Sequence, residues 1–356
     1  MTHRSGIIGY GHMGSAYHAK RLRELTDCVI PTAAFDIRPE MMKNVVEDGL
    51  RPCSSVEDLL AQKDIDIIVV ATPNHVHKDL SIAAMRAGKN VICEKPVTMN
   101  AAELEEIIAV SKETGMQFAA HQNRRWDGNF MNVKSIVESG KIGTPFYIKH
   151  RIQGSGGVVY GWRNDPLNGG GFLMDWGIHL LDRTIWLMRE HKIVEVGAKV
   201  HNILSRADDN AIVNITFDNG CKLLVETMHY AFAGEPLWTV HGDKGCIVIP
   251  DEDTPGTVTY ATVTGERYAD DLCYREQGPV TITSRVLTET YKTEPLVPIG
   301  QPNFPNLWQR FYENYTAALD GTEDLIVTPE QSLRLMKVID MIYESSRTNQ
   351  SIHCLL

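Results

Sequence analysis

Short, uninterrupted apolar runs alternate with amphipathic stretches along the first third of the chain. The runs Gly6–Gly9, Ile30–Asp36, Asp64–Pro73, Asn90–Pro96 and Met116–Gln122 lack in/out alternation. That predicts strands buried on both faces of a parallel sheet. Between them, Ser15–Leu25, Pro39–Gly49, His77–Gly88 and Ala101–Gly115 carry helical periodicity. Repetition of strand and helix predicts right-handed crossovers and a doubly wound domain. After Gly143 the pattern changes. Thr144–Gly154 reads as a strand, followed by a loop and an apolar helix around Asp175. Val194–Ile203, Ala211–Gly220, Cys221–Ala231, Leu237–Gly245 and Cys246–Pro250 are short runs rich in Val, Thr and Ile. Asp218-Asn219-Gly220 and Gly242-Asp243-Lys244-Gly245 are hairpin signals, so a mainly antiparallel sheet is expected. Two helices, Asn306–Asp320 and Pro329–Ser346, are predicted to close the chain, the second with proline in its first turn.

The fold class expected is therefore α/β plus α+β. A doubly wound parallel domain occupies residues 1–124, and an open, mixed, mainly antiparallel sheet domain occupies 125–356. The last helix is placed to pack back on the first domain. A length of 356 residues supports two domains, because it exceeds the usual size of one core.

Net charge is −10 and pI ≈ 5.7, which argues against nucleic acid or an anionic membrane as partner. No run approaches the roughly 18 apolar residues of a membrane span. No apolar signal segment precedes the first glycine motif. The cysteines, 7 in number, show no C-x-x-C spacing, which reads as reduced thiols. A cytoplasmic location is the expectation.

Gly9-x-Gly11-x-x-Gly14 follows a strand and opens a helix, with Tyr10, His12 and Met13 between the glycines. Gly9 permits the tight turn, Gly11 lets a pyrophosphate approach the backbone, and Gly14 permits close helix–strand packing. The helix N-terminus then offers free N–H groups to the phosphates. Asp36 ends the next strand, about 20 residues beyond the glycines, where an acid meets the ribose hydroxyls. A carboxylate there repels a 2′-phosphate, so NAD is expected over NADP. Arg38 is compatible with pairing such a phosphate, stacking on adenine, or plain solvation.

Gly169–Asp182 sets a polar stripe into an apolar helix. Asp175, His179 and Asp182 stand at i, i+4 and i+7 and share one face. A metal would need further ligands that the surrounding sequence lacks, so none is expected. Helix capping suits Asp175 but leaves His179 unexplained. Acid–base chemistry accounts for both: His179 as base, Asp175 orienting it or the substrate. Asp182 is expected to be structural, paired with Arg183 or Arg163.

Cys93–Val97 ("CEKPV"), Ala71–His77 ("ATPNHVH") and the Gly169–Asp182 segment together resemble the Gfo/Idh/MocA oxidoreductases. That family comprises glucose–fructose oxidoreductase, inositol dehydrogenase and the rhizopine-catabolism enzymes, and the likeness spans essentially the whole chain. The resemblance implies an N-terminal Rossmann domain, a C-terminal sheet used for substrate binding and for homo-oligomers (dimer, tetramer or hexamer), and oxidation of a sugar or cyclitol hydroxyl or the reverse reduction. It implies Lys95 as the catalytic lysine, Glu94 as neighbour of the nicotinamide ribose, a cis Lys95–Pro96 peptide, and the Asp175/His179 pair on the facing wall. Trp162-Arg163 resembles a pair that reaches the cofactor from the second domain. Oxidation at C3 of a glycoside is a further implication. Some relatives instead hydrolyse glycosides through transient oxidation, and a non-catalytic nucleotide-binding regulator is the third class.

From position alone, Thr72, Pro73 and Asn74 are expected to line the dinucleotide crevice, and His77 to pack or touch cofactor. Gln122 and Asn123 are placed to meet nicotinamide or substrate. Arg124 and Trp126, with Arg125, suit either a sugar platform or a domain-boundary salt bridge with aromatic packing. Tyr160 is a further candidate substrate contact.

Overall fold

The computed structural model describes residues 2–25, 27–154, 161–262, 273–276, 278–280, 291–297 and 307–356. Its first sheet has six parallel strands in the order Arg51–Pro52, Val29–Phe35, His3–Ile8, Ile67–Val70, Asn90–Cys93, Phe118–Ala120. Every residue of Ile67–Val70 is fully buried, the burial that the uninterrupted apolar run requires. The strand order reverses between His3–Ile8 and Ile67–Val70. Such a switch point opens a crevice beyond the carboxyl ends of the strands, where ligands bind in sheets of this kind.

The second sheet has nine strands, in the order Tyr291–Pro295, Thr257–Ala261, Gly245–Ile249, Trp238–Gly242, Pro145–Gln153, Lys222–Met228, Asn210–Phe217, Ile193–His201, Ile352–His353. Both expected hairpins form, at Asn210–Phe217 with Lys222–Met228 and at Trp238–Gly242 with Gly245–Ile249. One neighbouring pair is parallel: Lys222–Met228 beside Pro145–Gln153. Ile148, Val213, Ile215, Leu223, Val225, Val240 and Ile247 are buried on one face, at alternate positions.

The expected helix from Asn306 starts at Gln309, and Asn306 itself lies outside the described residues. Thr328 caps the last helix, Pro329–Thr348, by accepting from the Gln331 N–H. Both closing helices pack on the first domain. Tyr312 bonds His18 at 2.8 Å, Gln117 donates to the Tyr315 carbonyl at 2.8 Å, and the Ala101 N–H donates to Asp340 at 3.0 Å.

The partner of Asp182 is neither expected arginine. Arg125 holds it through two bonds of 2.8 and 2.7 Å, with both side chains almost fully buried. The ion pair fixes the domain boundary to the helix Ile178–Leu187. Removing one partner would leave a buried charge, at about 3–5 kcal/mol.

Candidate active site

The crevice at the switch point has a volume of about 630 Å³. The glycine turn forms one wall. Gly9 has φ +92°, and a Cβ there would lie 2.5 Å from the Ala71 carbonyl oxygen. A Cβ on Gly14 would lie 2.0 Å from the Gly9 oxygen, so helix and strand meet at a distance only glycine permits. The helix that follows winds as a π-helix over Met13–Arg21 and as an α-helix over Leu22–Leu25. Gly11, His12 and Met13, at the start of this helix where backbone N–H groups lack helical partners, line the crevice. This cradle fits a dinucleotide pyrophosphate.

Asp36 lines the crevice at the end of its strand and is saturated with donors. It accepts from the Tyr10 N–H at 2.8 Å, the Arg38 N–H at 2.9 Å, and both sides of the Arg38 guanidinium at 3.0 Å. Burial pushes its pKa up, but the Arg38 and Tyr10 bonds outweigh that and hold it below the ordinary carboxylate value. Thr72, Pro73, Asn74, Glu94, Lys95, Trp162 and Arg163 also line the crevice. Asn74 reaches across to donate to the Gly169 carbonyl at 2.7 Å, latching the two domains at the crevice edge.

Three expected cofactor residues turn away. The Tyr10 ring is fully buried and its hydroxyl donates to Asp48; only its backbone serves the site, through Asp36. His77 is buried with one ring nitrogen 2.8 Å from the Thr72 carbonyl and the other 2.8 Å from that of Pro96. It clamps the two crevice loops and has no nitrogen left for a ligand. Gly14 serves packing alone. Asn123 is buried at the start of the turn that carries Arg124.

Lys95 follows the strand Asn90–Cys93, and the Lys95–Pro96 peptide is cis. Its ammonium donates to the Asp175 carboxylate at 2.8 Å and to the Asp175 carbonyl at 3.0 Å. The other Asp175 oxygen faces Arg163 Nε at 3.3 Å. Burial raises the pKa of Asp175, but the two cations outweigh it and keep the carboxylate ionised. The helix is wound as a π-helix over Leu173–Gly177 and as an α-helix from Ile178. Gly171 (φ +123°) precedes it, and a Cβ there would lie 2.0 Å from Asp208. Asp208, in the connection just before the strand Asn210–Phe217, accepts from the Leu173 N–H at 2.7 Å and so caps this helix.

His179 is almost fully buried, and its Nδ1 has no hydrogen-bond partner. Burial holds its pKa well below the ordinary imidazole value, and Lys95, Arg124, Arg183 and His121 push it further down. The imidazole is therefore neutral near pH 7. Its ring stands edge-on to Trp176, with centroids 6.4 Å apart.

Arg124 and Trp126 divide between the two readings of their segment. Arg124 lies over the Trp176 ring at 4.4 Å, next to Asp175 and His179. Trp126 sits in the core against Phe311 at 6.1 Å and is withdrawn from substrate; here the boundary-packing reading holds, as it does for Arg125. Tyr160 lies outside the described residues.

Behind Lys95 lies a buried cluster that no spacing in the sequence signals. One Glu94 oxygen is shared by His18 at 2.9 Å and His121 at 2.7 Å, while the other accepts from the Lys95 N–H at 3.1 Å. These two histidines and Glu94 bring ligand-type atoms within 4.8 Å of one another, yet the hydrogen bonds already account for the arrangement. Glu94 thus anchors the Lys95 loop from beneath. His121 Nε2 and Gln122 Oε1 remain buried and unpartnered next to it. Only the topology, which pairs Cys93 with Ala120 and so sets Glu94 beside His121, reveals the contact.

Comparison with known proteins agrees with this architecture. Residues 3–122 match the model of the NAD-binding Rossmann fold of an oxidoreductase family, and residues 134–354 match that family's C-terminal alpha/beta domain. The chain is similar to scyllo-inositol 2-dehydrogenase (NADP(+)) IolW of Bacillus subtilis, with 24% identity over 99% of this chain and 96% of that protein. It is also similar to myo-inositol 2-dehydrogenase of Thermotoga maritima, with 28% identity over 75% of this chain and 84% of that one. Among solved structures, an NAD-binding protein from Listeria innocua superimposes with a TM-score of 0.85 at 32% identity, covering 99% of this chain and 97% of its own. With both domains matched in order, the chain belongs to the Gfo/Idh/MocA oxidoreductase family.

Proposed function

We propose that this oxidoreductase converts a secondary hydroxyl of a sugar, glycoside or cyclitol into the ketone, with NAD as the acceptor. The observation that carries the reading is one contact: Lys95, from the dinucleotide-binding domain, meets Asp175, from the facing helix, at 2.8 Å on the crevice wall. A bound nicotinamide supplies the two-electron acceptor for the carbinol hydrogen. The Lys95 ammonium polarises the substrate oxygen and stabilises its alkoxide character. Neutral His179, one turn beyond Asp175 and outside the residues that line the crevice, is the base for the hydroxyl proton, and Asp175 orients Lys95.

Asp36 supports NAD over NADP, because its ionised carboxylate opposes a 2′-phosphate. Arg38 is tied to that carboxylate by two bonds, which weakens its claim on a phosphate. Thr72, Pro73, Asn74, Glu94, Asn123, Trp162 and Arg163 complete the proposed cofactor contacts, and Gln122 and Arg124 the substrate contacts. We also read the protein as a cytoplasmic homo-oligomer joined through the second sheet. The half-exposed outer-face residues Tyr147, Ile212, Leu224 and Val248 support the assembly. Among the described residues, no helix is long and apolar enough to cross a membrane.

A panel of hexoses, glycosides and inositols with NAD and with NADP, followed at the nicotinamide absorbance, tests this. NADH formation with a ring polyol is expected. Release of aglycone from a glycoside without net NADH would replace the reading with the hydrolytic one.

A further inference from the structure

Arg124 and Arg125 are consecutive, and they end in opposite conditions. Arg125 is saturated: Nε and Nη2 hold Asp182, while Nη1 donates to the Ile326 carbonyl and to Gln331. Arg124 is anchored without being saturated. Its Nη1 donates to the fully buried Asp127 at 3.1 Å and faces Glu252 at 3.9 Å. Its guanidinium carbon lies over two indoles, 4.4 Å from the Trp176 centroid and 5.8 Å from that of Trp308. Trp308 is itself fixed by donating to Asp127 at 2.7 Å. Nε and Nη2 donate to no protein atom among the described residues, and the side chain keeps 18% of its exposure.

A guanidinium locked in place with two adjacent N–H vectors free is arranged for bidentate recognition of a carboxylate. The surrounding charges favour the same ligand. Asp175 is engaged by Lys95 and Arg163, and Asp127 is shared between Arg124 and Arg183. Neither is left to neutralise the free edge of Arg124, and Glu252 stands on the opposite, Nη1 side. His179 registers the resulting field, since Lys95, Arg124 and Arg183 all act to discharge it.

We propose that the ring oxidised by this protein carries a carboxylate, as a hexuronate does, and that Arg124 binds it. The inference rests on the sugar-oxidising reading above and narrows its substrate class. A vicinal diol also fits two N–H donors, but it would leave the positive field uncompensated.

The test uses pairs matched in ring and differing at C6: glucuronate against glucose, galacturonate against galactose, and methyl glucuronide against methyl glucoside. The acid of at least one pair is expected to exceed its neutral partner in kcat/KM by about tenfold to a hundredfold, the strength of a charged, two-point hydrogen bond. Arg124→Met should bring that ratio close to one, mainly through KM for the acid, and Arg124→Lys should restore only part of it. Because the ratio is taken within one variant, general damage cancels. Calorimetric binding of the same acids to the NADH complex is measured in parallel. NADH formation with neutral rings equal to or better than their acids overturns the inference and leaves the oxidoreductase reading standing. Acid binding that Arg124→Met abolishes, without turnover, keeps the carboxylate site and sinks the redox assignment. Neither binding nor turnover overturns both.

Discussion

The dinucleotide crevice and the substrate wall meet at Lys95, and they are built on different principles. The crevice is made of backbone. Its shape comes from two glycines without room for a Cβ, and the carboxylate beside them, Asp36, is fully bonded before any ligand arrives. The proposed substrate wall is made of side chains, and among the described residues some lack partners: His179 Nδ1 is buried and unbonded, and Arg124 has a free edge. Buried polar atoms are almost always paired in folded proteins, because leaving one unpaired costs about 1–3 kcal/mol.

That contrast can be broken most decisively at its meeting point. Lys95→Met should reduce kcat about a thousandfold or more while NAD affinity, read by fluorescence titration, stays within a few-fold. Loss of NAD binding in parallel would mean that Lys95 belongs to the crevice. His179→Ala is expected to reduce kcat at least about a hundredfold, again without weakening NAD. Because the His179 pKa is depressed, the base stays neutral to well below pH 6.5. The kcat/KM profile should therefore show no acid limb near that pH, and an inflection there would contradict the assignment.

Gly14→Ala tests the other side. Its Cβ would sit 2.0 Å from the Gly9 carbonyl, so the helix must shift. NAD should weaken at least about tenfold and stability should fall by about 1–3 kcal/mol. The smallest effect concerns Asp208, behind the substrate wall, whose pKa burial pushes up to about 6. The folded state then binds more protons than the unfolded state between about pH 4 and 6, so this group lowers stability as pH rises through that window. Asp208→Asn keeps an oxygen for the Leu173 N–H and removes the penalty. Melting curves should show the variant gaining on the parent between pH 4 and 7, by about 1–3 kcal/mol, with no further gain above.

The same contrast explains what the sequence made legible. Uninterrupted apolar runs and three glycines dictate the crevice because backbone geometry follows from local spacing. Asp175 and His179 were readable from helical periodicity. Arg124 and Trp126 were not separable, since only the packed interior decides which of two neighbours faces Phe311 and which lies on Trp176. His77 is placed by sequence next to the crevice, where packing and cofactor contact are both open; its contact with the Pro96 carbonyl, which helps decide for packing, comes from a separate loop. The Glu94–His18–His121 cluster joins three segments far apart in sequence, and no spacing rule reaches that far.

Both closing helices are fastened to the first domain through Tyr312, Tyr315 and Asp340. A chain strapped in this way is ill suited to gaping about a single pivot. Admission and discharge of a dinucleotide should instead require yielding at the rim, where a hydrogen bond from the Asn74 amide to the Gly169 carbonyl helps tie the lips together. Slackening that tie should quicken exchange and leave the frame unmoved.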